Sequence, residues 1–117
     1  METMEVAQGL VEMCRQGQFA EAIETYYGEN IVSVEGNGET ATGLDAIRGK
    51  SKWFMENHEI HGVVIEGPFV GGDEFAVRFA LDMTFKPSGE RSTMTEVAVY
   101  TVADGKIVHE KFLYLMG

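Results

Sequence analysis

Apolar residues recur at Ala7, Leu10, Val11 and Cys14, and again at Phe19, Ala22, Ile23, Tyr26 and Tyr27. Both sets keep to one face of a 3.6-residue period. The pattern predicts a helix over 3–16 and a stop at Gly17. A second helix should run from Phe19 to about Gly28, and the two should form a hairpin. Tyr26 and Tyr27 cannot both point into one core, so one is expected to place its hydroxyl at an edge. Residues 31–35 are rich in β-branched side chains and predict a strand that ends at Glu35, before the polar loop 36–39. Thr42-Gly43-Leu44-Asp45 has the form of a helix start, with Thr42 as cap and Asp45 in a capping-box position. Ala46, Ile47, Lys50, Trp53 and Phe54 then carry that helix to about Asn57, mixing apolar packing with a basic rim.

From residue 61 the period changes to two. A strand over 61–70 is interrupted by Gly62, Gly67 and Pro68, which predicts a bend or bulge. Residues 74–86 alternate Phe75, Val77, Phe79, Leu81, Met83 and Phe85 with Ala76, Arg78, Ala80, Asp82 and Thr84, so one face is large and apolar. Turns at 71–73 and 87–90 flank it, and strands over 93–102 and 106–114 follow. The order is helix, helix, strand, helix, then four strands in an antiparallel meander. One α+β domain over 1–117 is expected, with helices closing a strongly bent, mainly antiparallel sheet into a cone. An unfilled cone is a ligand cavity.

The hairpin of 94–116 decides what faces into that cone. Asp104-Gly105 supports two loops. A two-residue type I′ turn pairs Ala103 with Lys106 and sets Glu96, Ala98 and Tyr100 beside His109, Lys111 and Leu113. A three-residue loop with Gly105 in a bulge pairs Val102 with Lys106 and sets them beside Val108, Glu110, Phe112 and Tyr114. One residue of register exchanges the faces. The bulged loop is preferred, and it makes Glu96 and Glu110 diagonal neighbours on an aromatic face.

Composition narrows the function. A formal net charge of -10, spread along the chain, disfavours nucleic acid and anionic membrane surfaces. The single cysteine, Cys14, excludes an internal disulfide and is expected in the core. No secretory signal and no membrane-spanning run is visible, which makes the cytoplasm the expected location. His58-Glu59-Ile60-His61 has its histidines three apart at a helix-to-strand boundary, where the helical zinc motif needs four, so no metal site is expected. His61 is expected instead as a pocket-rim group.

In its element order, and in FAEAIETYYGENIVSVEG, GLDAIRGKSKWF and VAVYTVADGKIVHEKFLY, the chain resembles the SnoaL-like and ketosteroid isomerase-like branch of the nuclear transport factor 2-like superfamily. The resemblance implies a cone-shaped (cystatin-like) fold, a homodimer and a pocket at the open end of the sheet. It places Glu35 where ketosteroid isomerases carry their carboxylate base. It puts Glu110, Phe112 and Tyr114 in the pocket-lining phase of the last strand, and Phe75, Val77, Phe79, Leu81 and Met83 on the pocket wall. The isomerase's oxyanion tyrosine falls at Leu10 and its second acid near Ala98, and neither side chain donates a hydrogen bond.

Two functions follow as expectations. In the first, Glu35 is a general base and Glu96 and Glu110 form an acidic pair. Together they act without a cofactor on a small, largely apolar metabolite, as an isomerase, cyclase or dehydratase. Tyr26, Trp53, His61, Phe79, Met83, Tyr100, Phe112 and Tyr114 then hold the ligand. In the second, the same fold is a non-catalytic ligand-binding or dimeric scaffold module, with Glu96 and Glu110 as solvated rim residues and the aromatics as core. In either case a dimer is expected through the outer sheet face, at Ala76, Arg78, Ala80, Asp82, Val97 and Val99.

Overall fold

The helical stripe of the N-terminal segment does bury: Val6, Ala7, Leu10, Val11 and Cys14 lie inside helix α1 (Thr3–Arg15). The computed structural model describes residues 2–114. After α1 come α2 (Phe19–Tyr26), β1 (Tyr27–Val34), β2 (Thr40–Thr42), α3 (Leu44–Asn57), β3 (His58–Gly71), β4 (Glu74–Phe85), β5 (Glu90–Ala103) and β6 (Lys106–Leu113). The six strands form one sheet in the order β2-β1-β6-β5-β4-β3. All neighbours are antiparallel except β1 and β6, which run parallel. The helices cover one face of this curled sheet, and the core lies between, from Val6 and Ile31 to Phe75, Val77 and Ile107.

β3 is bent where glycine and proline stand. Its register with β4 shifts between Ile60 and Gly62 and again between Glu66 and Phe69. β4 alternates as its sequence does: Phe75, Val77, Phe79, Leu81 and Met83 are buried, while Ala76, Arg78, Ala80 and Asp82 are half-buried on the outer face.

Several boundaries differ from expectation: β1 opens at Tyr27 rather than at residue 31, β3 at His58 rather than at 61, and the short β2 is not among the expected strands. α2 ends at Tyr26 rather than near Gly28, because Tyr27 already pairs with Ile107 of β6 and is buried. α3 does not start from a Thr42 cap. Thr42 is drawn into β2 opposite Val32, and Gly43, at φ 95°, takes the capping position without a side-chain hydrogen bond. Asp45 pairs with Arg48 instead, at 2.7 Å.

The last hairpin is the main correction. Ala103 pairs with Lys106, and Asp104 (φ 51°) and Gly105 (φ 75°) are both left-handed. This is a two-residue turn of the type I′ form, not the three-residue loop. By itself it would turn Glu110 outward. One step into the strands, however, Val102 pairs with Ile107 while Thr101 pairs with His109. Val108 is therefore an extra residue on β6, a β-bulge that moves the register by one. Beyond it Tyr100 stands opposite Glu110 and Ala98 opposite Phe112. The inward face is the expected one, reached by a bulge in the strand rather than in the turn. Residues 115 and 116 of the expected hairpin lie outside the described residues.

Gly105→Ala forces a β-carbon into the left-handed region and is expected to cost about 1–2 kcal/mol. Chemical denaturation of the two proteins checks this, and an unchanged midpoint contradicts the turn assignment.

Candidate functional site

The helices do not fill the concave face of the sheet. A cavity of about 800 Å³ remains between α1, α2 and α3 on one side and β4, β5 and β6 on the other. Of the residues expected there, Glu35, Glu96, Glu110, Trp53, Phe79, Tyr100, Phe112 and Tyr114 line it. Trp53 stands at its edge, 57% exposed.

Three expected ligand contacts are not there. Tyr26 packs its hydroxyl against Gly9 of α1, where a β-carbon would collide with it. His61 is the extra residue of the first β3 bulge and points to Thr84, whose Oγ1 lies 2.8 Å from its Nε2. Met83 is buried on the correct face of β4 but lies outside the cavity lining. His61 is misplaced by a bulge, which changes the side a residue faces without changing its neighbours in sequence.

Tyr27, rather than Tyr26, reaches the site. It is the first residue of β1, and its buried hydroxyl donates to Glu110 Oε2 at 2.9 Å. The signal in the sequence was the adjacent tyrosine pair, of which one member had to turn inward. Lys50 was also legible in part, as a lone cation spaced three from Ile47 on the apolar stripe of α3. Its ammonium pairs with Glu35, donates to Ser33 Oγ at 3.2 Å and lies 5.6 Å from the centre of the Phe112 ring. The other oxygen of Glu35 accepts from the Tyr114 hydroxyl at 3.1 Å. Glu35 is thus held on both sides and is not an isolated carboxylate in an apolar pocket.

Glu96 and Glu110 share the concave face but are not the expected diagonal neighbours. The Ala98–Phe112 pair stands between them, and no hydrogen bond joins them. Burial raises both carboxyls to about 7. For Glu96 the nearby Glu35 charge adds to burial and Lys50 opposes it. For Glu110 the Tyr27 hydrogen bond and Lys50 oppose burial, while Glu35 and Glu96 reinforce it. No buried polar side-chain atom lacks a partner among the described residues. The free Oε1 of Glu110 and both oxygens of Glu96 therefore open onto the cavity. Cys14, also at the wall, is pushed up to about 12 by burial and then by Glu110, so it is a neutral thiol and a poor nucleophile.

Chemically, the site sets two carboxyls that exchange protons near neutral pH in largely apolar surroundings, with the Glu35–Lys50 ion pair at their side. A donor to a developing negative oxygen and an acceptor for a proton can both be drawn from it near neutral pH. Among the described residues no three His, Cys, Asp or Glu side chains are placed to hold a metal ion. No helix among them is long and apolar enough to cross a membrane.

The raised carboxyls link stability to pH. A carboxyl with a folded pKa of about 7 against a usual 4.5 makes the folded state bind more protons. Its contribution is fully present below about pH 4.5 and is lost as pH climbs to about 7, then levels off. Glu96→Gln and Glu110→Gln should each remove on the order of 1–3 kcal/mol of that loss. Unfolding midpoints of the three proteins at pH 5 and pH 8 check this, and parallel pH profiles contradict it.

A family model described as the SnoaL-like domain matches residues 1–114. A crystal structure of a proposed SnoaL-like polyketide cyclase from Mesorhizobium loti is 47% identical, with a TM-score of 0.92 over 97% of this chain and 100% of that one. A proposed isomerase from Bacillus subtilis is 17% identical, with a TM-score of 0.81 over 98% and 90% of the two chains. A Catenulispora acidiphila protein of ketosteroid isomerase-like fold, in complex with trimethylamine, is 18% identical, with a TM-score of 0.75 over 92% and 85%. No curated protein sequence matches. The two distant structures share the fold alone, but the family match and the 47% identical relative cover the chain nearly end to end, and the chain belongs to the SnoaL-like family of the ketosteroid isomerase-like, nuclear transport factor 2-like fold.

Proposed function

We propose that the cavity binds a small, largely apolar molecule and moves a proton alpha to a carbonyl, without a cofactor. The observation that carries this is the pair of raised carboxyls, Glu96 and Glu110, both opening onto one cavity. Glu110 is the acid. Tyr27 bonds to its Oε2, which leaves Oε1–H free to donate to an oxygen of the substrate. Glu96 is the acceptor. In its ionised form it takes the proton from carbon, the electron pair moves into the carbonyl, and Glu110 hydrogen-bonds or protonates the resulting oxygen. Return of the proton at another carbon gives isomerisation. Attack of the enolate on a second carbonyl gives cyclisation, and expulsion of a hydroxyl gives dehydration.

The role of base passes from Glu35 to Glu96 in this reading because both oxygens of Glu35 are occupied, by Lys50 and Tyr114. Glu35 then holds Lys50 in place. Glu110, its Oε2 held by Tyr27, supplies a donor that the Leu10 and Ala98 positions do not. The cyclase name of the 47% identical relative supports carbon-acid chemistry of this kind, and the trimethylamine complex supports a small-molecule pocket in this fold.

The test is exchange of α-protons of 2-decalone in deuterated buffer at pH 7, followed by NMR. Wild type is expected to exceed the buffer rate. Glu96→Gln should lower the excess by at least about two orders of magnitude, the usual scale for loss of a general base. Quenching of Trp53 fluorescence by the ketone without any exchange would favour the non-catalytic binding module.

We also propose a homodimer through the outer sheet face. Val64, Phe69 and Leu113, which are 61%, 63% and 48% exposed, flank Ala76, Ala80, Val97 and Val99. These residues form an apolar field around the Arg78–Glu66 ion pair. A stable dimer needs about 800 Å² per partner. Sedimentation at micromolar concentration should give a dimer for the wild type and a monomer for Phe69→Asp. A monomeric wild type overturns the assignment.

A further inference from the structure

The cavity is lined by four carboxylates, Glu35, Glu39, Glu96 and Glu110, against one ammonium, Lys50. That ammonium is already used by Glu35 and Ser33. Glu96 has no hydrogen-bond or ion-pair partner among the described residues. On the concave face it lies directly across from Phe79 of β4 and diagonally from Phe112 of β6, whose partner Ala98 is two residues along β5. A half-buried carboxylate at an apolar cavity wall is held best with either a proton or a positive charge beside it. The neighbouring aromatic side chains favour the second, because the aromatic quadrupole attracts cations. Phe112 already holds the Lys50 ammonium 5.6 Å from its centre.

We infer that the ligand of this cavity is an organic cation, an apolar body bearing a quaternary or protonated amine, with its charge seated at Glu96 between the rings of Phe79 and Phe112. This rests on the reading of the cavity as a small-molecule site and adds the charge of the molecule. An anionic ligand would meet Glu35, Glu39 and Glu96 with no uncommitted cation among the described lining residues. A neutral ligand would leave the charged form of Glu96 unneutralised.

The titratable groups around Glu96 are Glu35 from the end of β1, Glu39 from the loop, Lys50 from α3, Tyr100 on its own strand, and Glu110 and Tyr114 from the last strand. Tyr27 and Cys14 lie at the same wall. Of these, Glu35 opposes ionisation of Glu96 and Lys50 favours it. A ligand cation adds to Lys50 and drives the proton off Glu96. Glu110 lies beyond the Ala98–Phe112 pair and keeps its own. The bound ligand would thus create the base and leave the acid intact.

The probes are benzyltrimethylammonium and its uncharged isostere neopentylbenzene, read by Trp53 fluorescence and by calorimetry in buffers of different ionisation enthalpy. At pH 8 the cation should bind at least about tenfold more tightly than the isostere. The preference should shrink at pH 5, and binding of the cation near pH 6.5 should release protons. Glu96→Gln should abolish the preference while neopentylbenzene still binds. Glu21→Gln, which removes the same charge from the exposed face of α2, should keep the preference and separates the site from the overall charge of -10. Equal affinity for both probes, or a preference that survives in Glu96→Gln, overturns the inference and leaves the small-molecule reading standing. Failure of both probes to bind the folded wild type overturns both.

Discussion

Strand β6 carries one residue more than β5 between the turn and Thr101, and the interior of the protein depends on it. Without Val108 as a bulge, the tight Asp104-Gly105 turn would carry His109 and Lys111 to the concave face and Glu110 and Phe112 to the outside. That register would desolvate the long cationic side chain of Lys111, which is costly, and would leave the aromatic Phe112 on the outside. With the bulge, Glu110 meets Tyr27, Phe112 meets Lys50, and Ile107 still reaches the core. The left-handed Asp104-Gly105 pair suits the twist of the hairpin, and the bulge then restores the face that burial demands.

The cavity runs against folding stability. Glu110 is buried and Glu96 half-buried, Tyr27 gives Glu110 its one protein hydrogen bond, and desolvation disfavours the charged form of both. Apolar residues of similar volume would stabilise the cone more. The buried phenols of Tyr27 and Tyr100 are likewise held well above their usual range by burial. The two carboxyls differ from the phenols in exchanging protons near neutral pH, and strands hold both at the cavity wall. The Glu35–Lys50 pair contributes a local positive charge that restrains both raised carboxyls, while Glu35 raises them.

The two faces of the sheet divide the work. Phe79, Leu81, Met94, Glu96 and Tyr100, which point inward from β4 and β5, line the cavity. The residues that point outward belong to a ladder of small, branched and ion-paired side chains, with Ala80 between Val64 and Thr95 and Arg78 between Glu66 and Val97. The helices cannot reach this outer face. Its exposed Val64 and Phe69 are the residues on which the proposed dimer rests.

Periodicity alone determined the three helices, the long strands, the bend of β3 and the apolar wall of β4, because these follow from local spacing and from burial of one face. The resemblance carried by the chain's own segments pointed to the SnoaL-like fold, and it brought Glu35, Glu110, Phe112 and Tyr114 to the cavity. Tertiary structure decided the rest. The turn was misread because Asp104-Gly105 is compatible with two loops, and only the burial of Ile107 and Glu110 selects the register. Tyr27 replaced Tyr26 because a parallel pairing between β1 and β6, distant in sequence, ended α2 about two residues early. His61 left the pocket because a bulge turned it toward Thr84. Lys50 became the partner of Glu35 because α3 packs against the end of β1. Which carboxylate is bound and which is free depends on contacts between elements far apart in the chain, and local pattern carries no information about those.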